Sequence, residues 1–212
     1  MIKAGTTLRL RSQAGEESTV TVLEAIEPKD PTPARLSQRD PRWAGKRLGL
    51  TDGPETIGSH GCLLTCMTRA LGRSDVGALN DELVSRRMFA PNSGNVFWDL
   101  APFGLHNVAI SGLFDRREMP AEWMVRLISH VRAGKPAILG VDFNPWPSNA
   151  VYDEHYVFVT GIDNGGVLVP DEIAIADPWP LPDEPAPPTH LTPRYGPNQA
   201  FAACRVLLYE RT

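Results

Sequence analysis

The spacing of apolar residues changes period along the chain. Between residues 6 and 26 it alternates, with Leu8 and Leu10 and then Val20 and Val22 on either side of a polar AGEES turn. A period of two about a turn predicts a β-hairpin. EPKDPTPA, residues 27–34, follows as a proline-rich linker. In IGSHGCLLTCMTRALG, residues 57–72, the period becomes helical: Cys62, Cys66, Met67 and Ala70 recur about one turn apart. Ser59 stands as a cap, Gly61 permits close approach, and Gly72 is a stop. Further helices are expected over 78–89 and over 121–132, the second with Pro120 at its start and Gly134 just past its end. Short β-rich runs then dominate, at 136–143, 155–163, 166–170, 172–178 and 202–210, with Asn164-Gly165 as a hairpin turn. Helices first and antiparallel strands after predict an α+β fold. Residues 178–197 hold eight of the 20 prolines and predict an ordered arm, not a strand.

Composition adds limits. A length of 212 residues supports one core without a disulfide or metal staple. The expected plan is a hairpin and linker over 1–34 and a main domain over 35–212. A net charge of -4 argues against nucleic acid or an anionic membrane as partner. Three cysteines, Cys62, Cys66 and Cys204, have no framework spacing, which favours a reducing compartment or a reactive thiol. The amino terminus has no apolar core of a signal peptide, and no apolar stretch approaches the roughly 20 residues of a membrane span. The expectation is a soluble chain made in the cytoplasm; release by a phage or a dedicated secretion route would leave no trace in it.

Candidate chemistry centres on Cys62. It follows Gly58-Ser59-His60-Gly61 at the expected start of a helix, where unpaired N–H groups and the dipole favour a thiolate. Cys66, one turn on, should face the core. His60, Cys62 and Cys66 lack the second ligand pair of a zinc site, so no metal is expected. Among the histidines, His130 near a helix end suits a structural role, His106 and His190 fall in loops, and His60 flanks the site. His155 opens a strand and suits a base for a nucleophile on a facing helix. Asp177, in IADPW, could accept its second ring N–H, and an asparagine there would keep an accepting oxygen. Asp163 competes but lies about 26 Å along the strand. Gln38 could donate its amide to an oxyanion. Each residue also has a plainer reading: a small buried hydrophobe, a strand-end histidine, a loop amide.

Taken together, these segments resemble a known family. LSQRDPRWAGKRLG followed by TIGSHGCLLTCMTRALG resembles papain-like cysteine peptidases of the bacteriocin-leader (double-glycine) peptidase-like family, where Gln-x-Asp-x-x-Trp precedes a Gly-Cys opening the central helix. LNDELVSRRMFAPNSGNVFWDL resembles the helix and loop that follow there. AGKPAILGVD, EHYVFVTGID and IAIADPW resemble the terminal sheet, and the likeness covers roughly residues 36–180. It implies a papain-like α+β fold, with N-terminal helices and a central nucleophile helix packed on a C-terminal antiparallel sheet. It implies Cys62 as nucleophile, His155 as base, Asp177 as orienter, and Gln38 with the Cys62 N–H as oxyanion hole. No cofactor is implied, and the substrate is a peptide or isopeptide bond. The chain departs from the family in three ways. RLGLTDGPET is inserted between Gln38 and Cys62, no transporter domain is expected, and the arm at 178–197 has no counterpart. Two alternatives stand beside this reading. One is hydrolysis of peptidoglycan peptides by a phage or cell-wall enzyme, because LRLRSQAGEES resembles one hairpin of SH3-like wall-binding domains, though it is too short to be that domain. The other is a binding or structural protein that keeps the fold without turnover.

Overall fold

The computed structural model describes residues 7–11, 17–21, 35–114, 118–143, 154–163, 172–181, 183–184, 189–196 and 202–212. The expected hairpin is there: β1 (Thr7–Arg11) and β2 (Glu17–Thr21) pair antiparallel in a two-stranded sheet of their own. The linker at 27–34 and the expected strand at 166–170, with its Asn164-Gly165 turn, lie outside the described residues.

Residues 57–72 form two helices rather than one: α1 (Ile57–His60) and α2 (Cys62–Ala70). Thr56, not Ser59, is the first cap. Its hydroxyl accepts from the Ser59 N–H while the Ser59 hydroxyl accepts from the Thr56 N–H, a reciprocal capping box. The break falls at Gly61, where a Cβ would lie 2.4 Å from the Ile57 carbonyl oxygen, so only glycine lets the chain restart there. The restart makes Cys62 the first residue of α2. Leu64, Cys66, Met67 and Ala70 bury the inner face of α2, and each fully buried Leu or Met contributes roughly 1.5–3 kcal/mol. Gly72, with φ +69°, ends the turn as expected. The next helix, α3 (Val76–Ser85), starts and stops earlier than the apolar pattern implied. The Asp75 side chain caps it by accepting from the Ala78 N–H, and Phe89 instead bridges to Val96. By contrast, α4 (Ala121–Arg132) begins after Pro120 and ends before Gly134, as expected.

The main sheet contains β3 (Leu105–Ile110), β4 (Ala137–Asp142), β5 (Glu154–Asp163), β6 (Glu172–Ala176) and β7 (Arg205–Arg211). Its order is β3-β7-β4-β5-β6, with every neighbour antiparallel. The chain is therefore α+β. One face of the sheet buries Ile138, Phe158 and Leu207 in the cluster that holds α2 and α3. The other buries Leu139, Val157 and Leu208 beside Leu127 of α4. Covering both faces is why β4 reads as an apolar run, AILGV, before Asp142. Strand β3 was not expected. It is an edge strand with Val108 and Ile110 exposed and a bulge in its register at Asn107/Ala109, so its alternation is weak. His106 thus lies in a strand, not a loop. His130 is structural, as expected: its Nε2 donates to the Tyr209 carbonyl at 2.9 Å, and burial lowers its pKa. Inside the proline-rich arm a short helix forms, α5 (Leu191–Tyr195). No helix among the described residues is long and apolar enough to cross a membrane.

Candidate active site

Helix α2 lies across the start of β5. The Cys66 sulfur donates to the Tyr156 carbonyl at 3.4 Å and anchors the helix there. This places Cys62, at the first position of α2, against His155, the second residue of β5. Cys62 and His155 line one cleft, and Cys62 is among the groups that favour the charged form of the His155 ring. No side chain caps α2 at Gly61, so the N–H groups of its first turn have no side-chain acceptor at the end that carries Cys62. One ring nitrogen is engaged: His155 Nε2 donates to Asp177 Oδ1 at 2.9 Å. Nδ1 is therefore the nitrogen left for sulfur.

Asp177 follows directly on β6, and its side chain is fully buried. The Trp179 N–H donates to Oδ1 at 2.9 Å, while the Tyr195 hydroxyl at 2.5 Å and Arg194 Nε at 3.3 Å donate to Oδ2. Burial alone would push this carboxyl up; the His155 bond and the other donors outweigh it and hold the group below its ordinary value. For His155 burial opposes the charged form, but Asp177 and then Cys62 raise it to about 9. Phe143 lies edge-on to His155 with ring centres 5.0 Å apart, and Trp179 lies 5.0 Å beyond Phe143. These rings cover the histidine, and shielding from water strengthens its bond to Asp177.

Gln38 is 1% exposed and lines the same cleft as Cys62 and His155. Its backbone N–H donates to the Pro178 carbonyl at 2.8 Å, which ties the Gln38 segment to the one carrying Asp177. Its Nε2 donates to the Gly58 carbonyl at 3.1 Å; one amide hydrogen remains, and Oε1 is buried without a partner. The ten-residue insertion does not separate Gln38 from α1. Arg47 bridges Thr56, and Leu48 N–H donates to the Glu55 carbonyl at 3.1 Å, so RLGLTDGPET leaves and returns at one place. The cleft itself encloses about 870 Å³ and continues past Trp98, Tyr156 and Arg205.

The remaining sequence candidates stand elsewhere. Cys66 and Cys204 are buried, at 2% and 0% exposure, and burial drives the Cys66 thiol well above its ordinary value. Asp163, at the far end of β5, pairs with His190 at 2.6 Å. The His60 ring contacts the Ser59 hydroxyl at 2.8 Å. Among the described residues no group of three His, Cys, Asp or Glu could hold a metal ion. Sequence reasoning proposed Cys62, His155, Asp177 and Gln38, and the fold brings all four together. It missed Phe143, Arg194 and Tyr195. Arg194 and Tyr195 come from a segment whose prolines hide any period, and Phe143 from the end of an apolar strand. No protein-family model, curated protein or solved structure matches the chain.

Proposed function

We propose that this chain is a papain-like cysteine peptidase, similar in kind to the double-glycine leader peptidases, that hydrolyses a peptide or isopeptide bond. The observation that carries the reading is the His155–Asp177 bond at 2.9 Å in a cleft that Cys62, His155 and Gln38 line together. In this reading the Cys62 thiolate attacks the scissile carbonyl carbon, and the carbonyl π electrons move onto oxygen. The free amide hydrogen of Gln38 and the leading N–H of α2 stabilise that oxyanion. Collapse re-forms the carbonyl and breaks the carbon–nitrogen bond, and the leaving amine takes the proton from His155 Nδ1. The neutral ring then draws a proton from water, hydroxide adds to the thioester, and the thiolate departs with its imidazolium restored. Asp177 keeps Nε2–H engaged throughout, so the ring cannot turn Nδ1 away from sulfur.

Iodoacetamide tests the centre without a known substrate. Cys62 is alkylated first, while Cys66 and Cys204 react only on unfolding; equal labelling of the three in the folded chain would sink the reading. On a peptide that is cleaved, the alkaline limb of kcat/KM falls at about pH 9, where His155 loses the proton it must donate. The same shift sets a stability window. A histidine raised above its unfolded value stabilises fully below about pH 6.5, and that stability is lost as pH rises through about 9. Thermal melts across this interval check it. Gln38→Ala lowers kcat about 10²–10³-fold with KM little changed, because an oxyanion donor acts in the transition state.

A further inference from the structure

The described end of the 178–197 arm, residues 189–196, is not explained by the triad, yet its helix α5 reaches Asp177. We propose that this arm is a clamp on the catalytic carboxylate, in which Tyr195 and Arg194 are positioning residues that hold Asp177 ionised and aimed at His155. The proposal rests on the reading of His155–Asp177 as part of an acyl-transfer centre.

The arm reaches the carboxylate by extending the sheet. Strand β6 is an edge, and the Ile175 N–H donates to the Thr189 carbonyl at 2.7 Å while His190 bridges Ala174. The His190–Asp163 pair fastens the same point. Helix α5 starts immediately after. Leu191 and Tyr195, four residues apart, share its inner face and are 0% and 1% exposed. Pro193 sits in the first turn, where its missing N–H costs nothing and its fixed φ reduces the entropy lost on ordering.

The two oxygens of Asp177 are served by different elements. Oδ1 receives His155 from β5 and the Trp179 N–H, whereas Oδ2 receives the two α5 side chains. Without α5, Oδ2 would be a buried anionic oxygen without a donor, and burying such a group unpaired is costly. The carboxyl would then take up a proton or rotate, and either change removes the acceptor from His155. The charged and titratable groups around it are His155 from β5, Cys62 and Cys66 from α2, and Arg194 and Tyr195 from α5. Burial and the nearby carboxylate push the Tyr195 hydroxyl far above its ordinary value, so it remains a donor at every working pH.

Tyr195→Phe separates clamping from packing, since phenylalanine fills the same space and lacks only the hydroxyl. Oδ2 then keeps only Arg194, at 3.3 Å on a side chain 26% exposed, which draws the carboxylate toward the surface. The His155 ring is titrated by NMR in the full chain, alongside iodoacetamide alkylation of Cys62 at pH 7. The expected result is a His155 midpoint about one unit lower and alkylation about tenfold slower. Arg194→Ala, at a partly exposed position, slows alkylation about threefold and keeps the fold if the phenylalanine chain does not. A His155 midpoint unchanged by Tyr195→Phe but lowered by Asp177→Asn overturns the clamp and leaves the triad standing. A midpoint indifferent to Asp177→Asn overturns both. Alkylation unchanged in Arg194→Ala overturns the role of that residue in the clamp.

Discussion

Under the proposed peptidase function, Cys62→Ala eliminates peptide hydrolysis, with kcat falling by a factor on the order of 10⁶, as when the nucleophile of a triad is removed. The size follows from what is left behind. Gln38, the helix terminus and His155 still bind and polarise a carbonyl, but no atom remains to form the acyl intermediate. Cys62→Ser falls nearly as far, because His155 and Asp177 are arranged around a group that ionises far more readily than a hydroxyl. Cys66→Ser is the control. Its sulfur is 2% exposed and donates to the Tyr156 carbonyl at 3.4 Å, a bond a hydroxyl can replace. It costs about 1 kcal/mol of stability for a polar atom in an apolar site and leaves kcat within about twofold. Single-turnover assays with mass detection of the acyl adduct check both. Hydrolysis that persists in Cys62→Ala and vanishes in Cys66→Ser would place the nucleophile one turn away.

Asp177→Ala has the second largest effect, and it strikes stability as well as rate. It leaves the His155 Nε2–H, the Trp179 N–H and the Tyr195 hydroxyl without their acceptor in a fully buried place, and it strands the charge of Arg194. Removing one partner of a buried ion pair costs about 3–5 kcal/mol. The melting temperature therefore falls sharply, and kcat falls about 10²–10⁴-fold as general acid–base catalysis is lost. An asparagine at this position looks mild from the sequence, since its oxygen still accepts from His155. The geometry makes it harsher. With the amide oxygen facing His155 and Trp179, the NH₂ group faces Arg194 Nε, donor against donor, and the charge that holds His155 protonated is gone. Asp177→Asn therefore lowers kcat about tenfold or more and moves the alkaline limb below pH 9; parent-like profiles for this variant would remove Asp177 from the mechanism.

Much of the site was legible without coordinates because its parts are local signals. Cys62 after Gly61 marks a helix start, and Pro178 after Asp177 marks a strand end. The β-rich run EHYVFVTGID marks a strand with His155 at its mouth. Those signals are weak one by one, and the resemblance to papain-like cysteine peptidases joined Cys62, His155 and Asp177 into a trio. Chain-local signals also yielded the α+β class, the hairpin of β1 and β2, and both ends of α4.

Other features depended on contacts between distant segments. Strand β3 is held by pairing with β7, about a hundred residues later, and not by its own alternation. The break between α1 and α2 follows from the Ile57 carbonyl meeting Gly61, so it shows in backbone distance and not in the helical period. Gln38 reaches the site because the Arg47–Thr56 bridge closes the insertion on itself. Tyr195 and Arg194 arrive through an arm whose prolines carry no periodicity and which takes its shape from the free edge of β6. By itself the sequence determined which residues have suitable chemistry and which local elements carry them. The tertiary structure alone decided which donors surround the buried carboxylate, because a hydrogen bond within 3.3 Å between residues 17 or more positions apart is set by packing, and no local pattern encodes it.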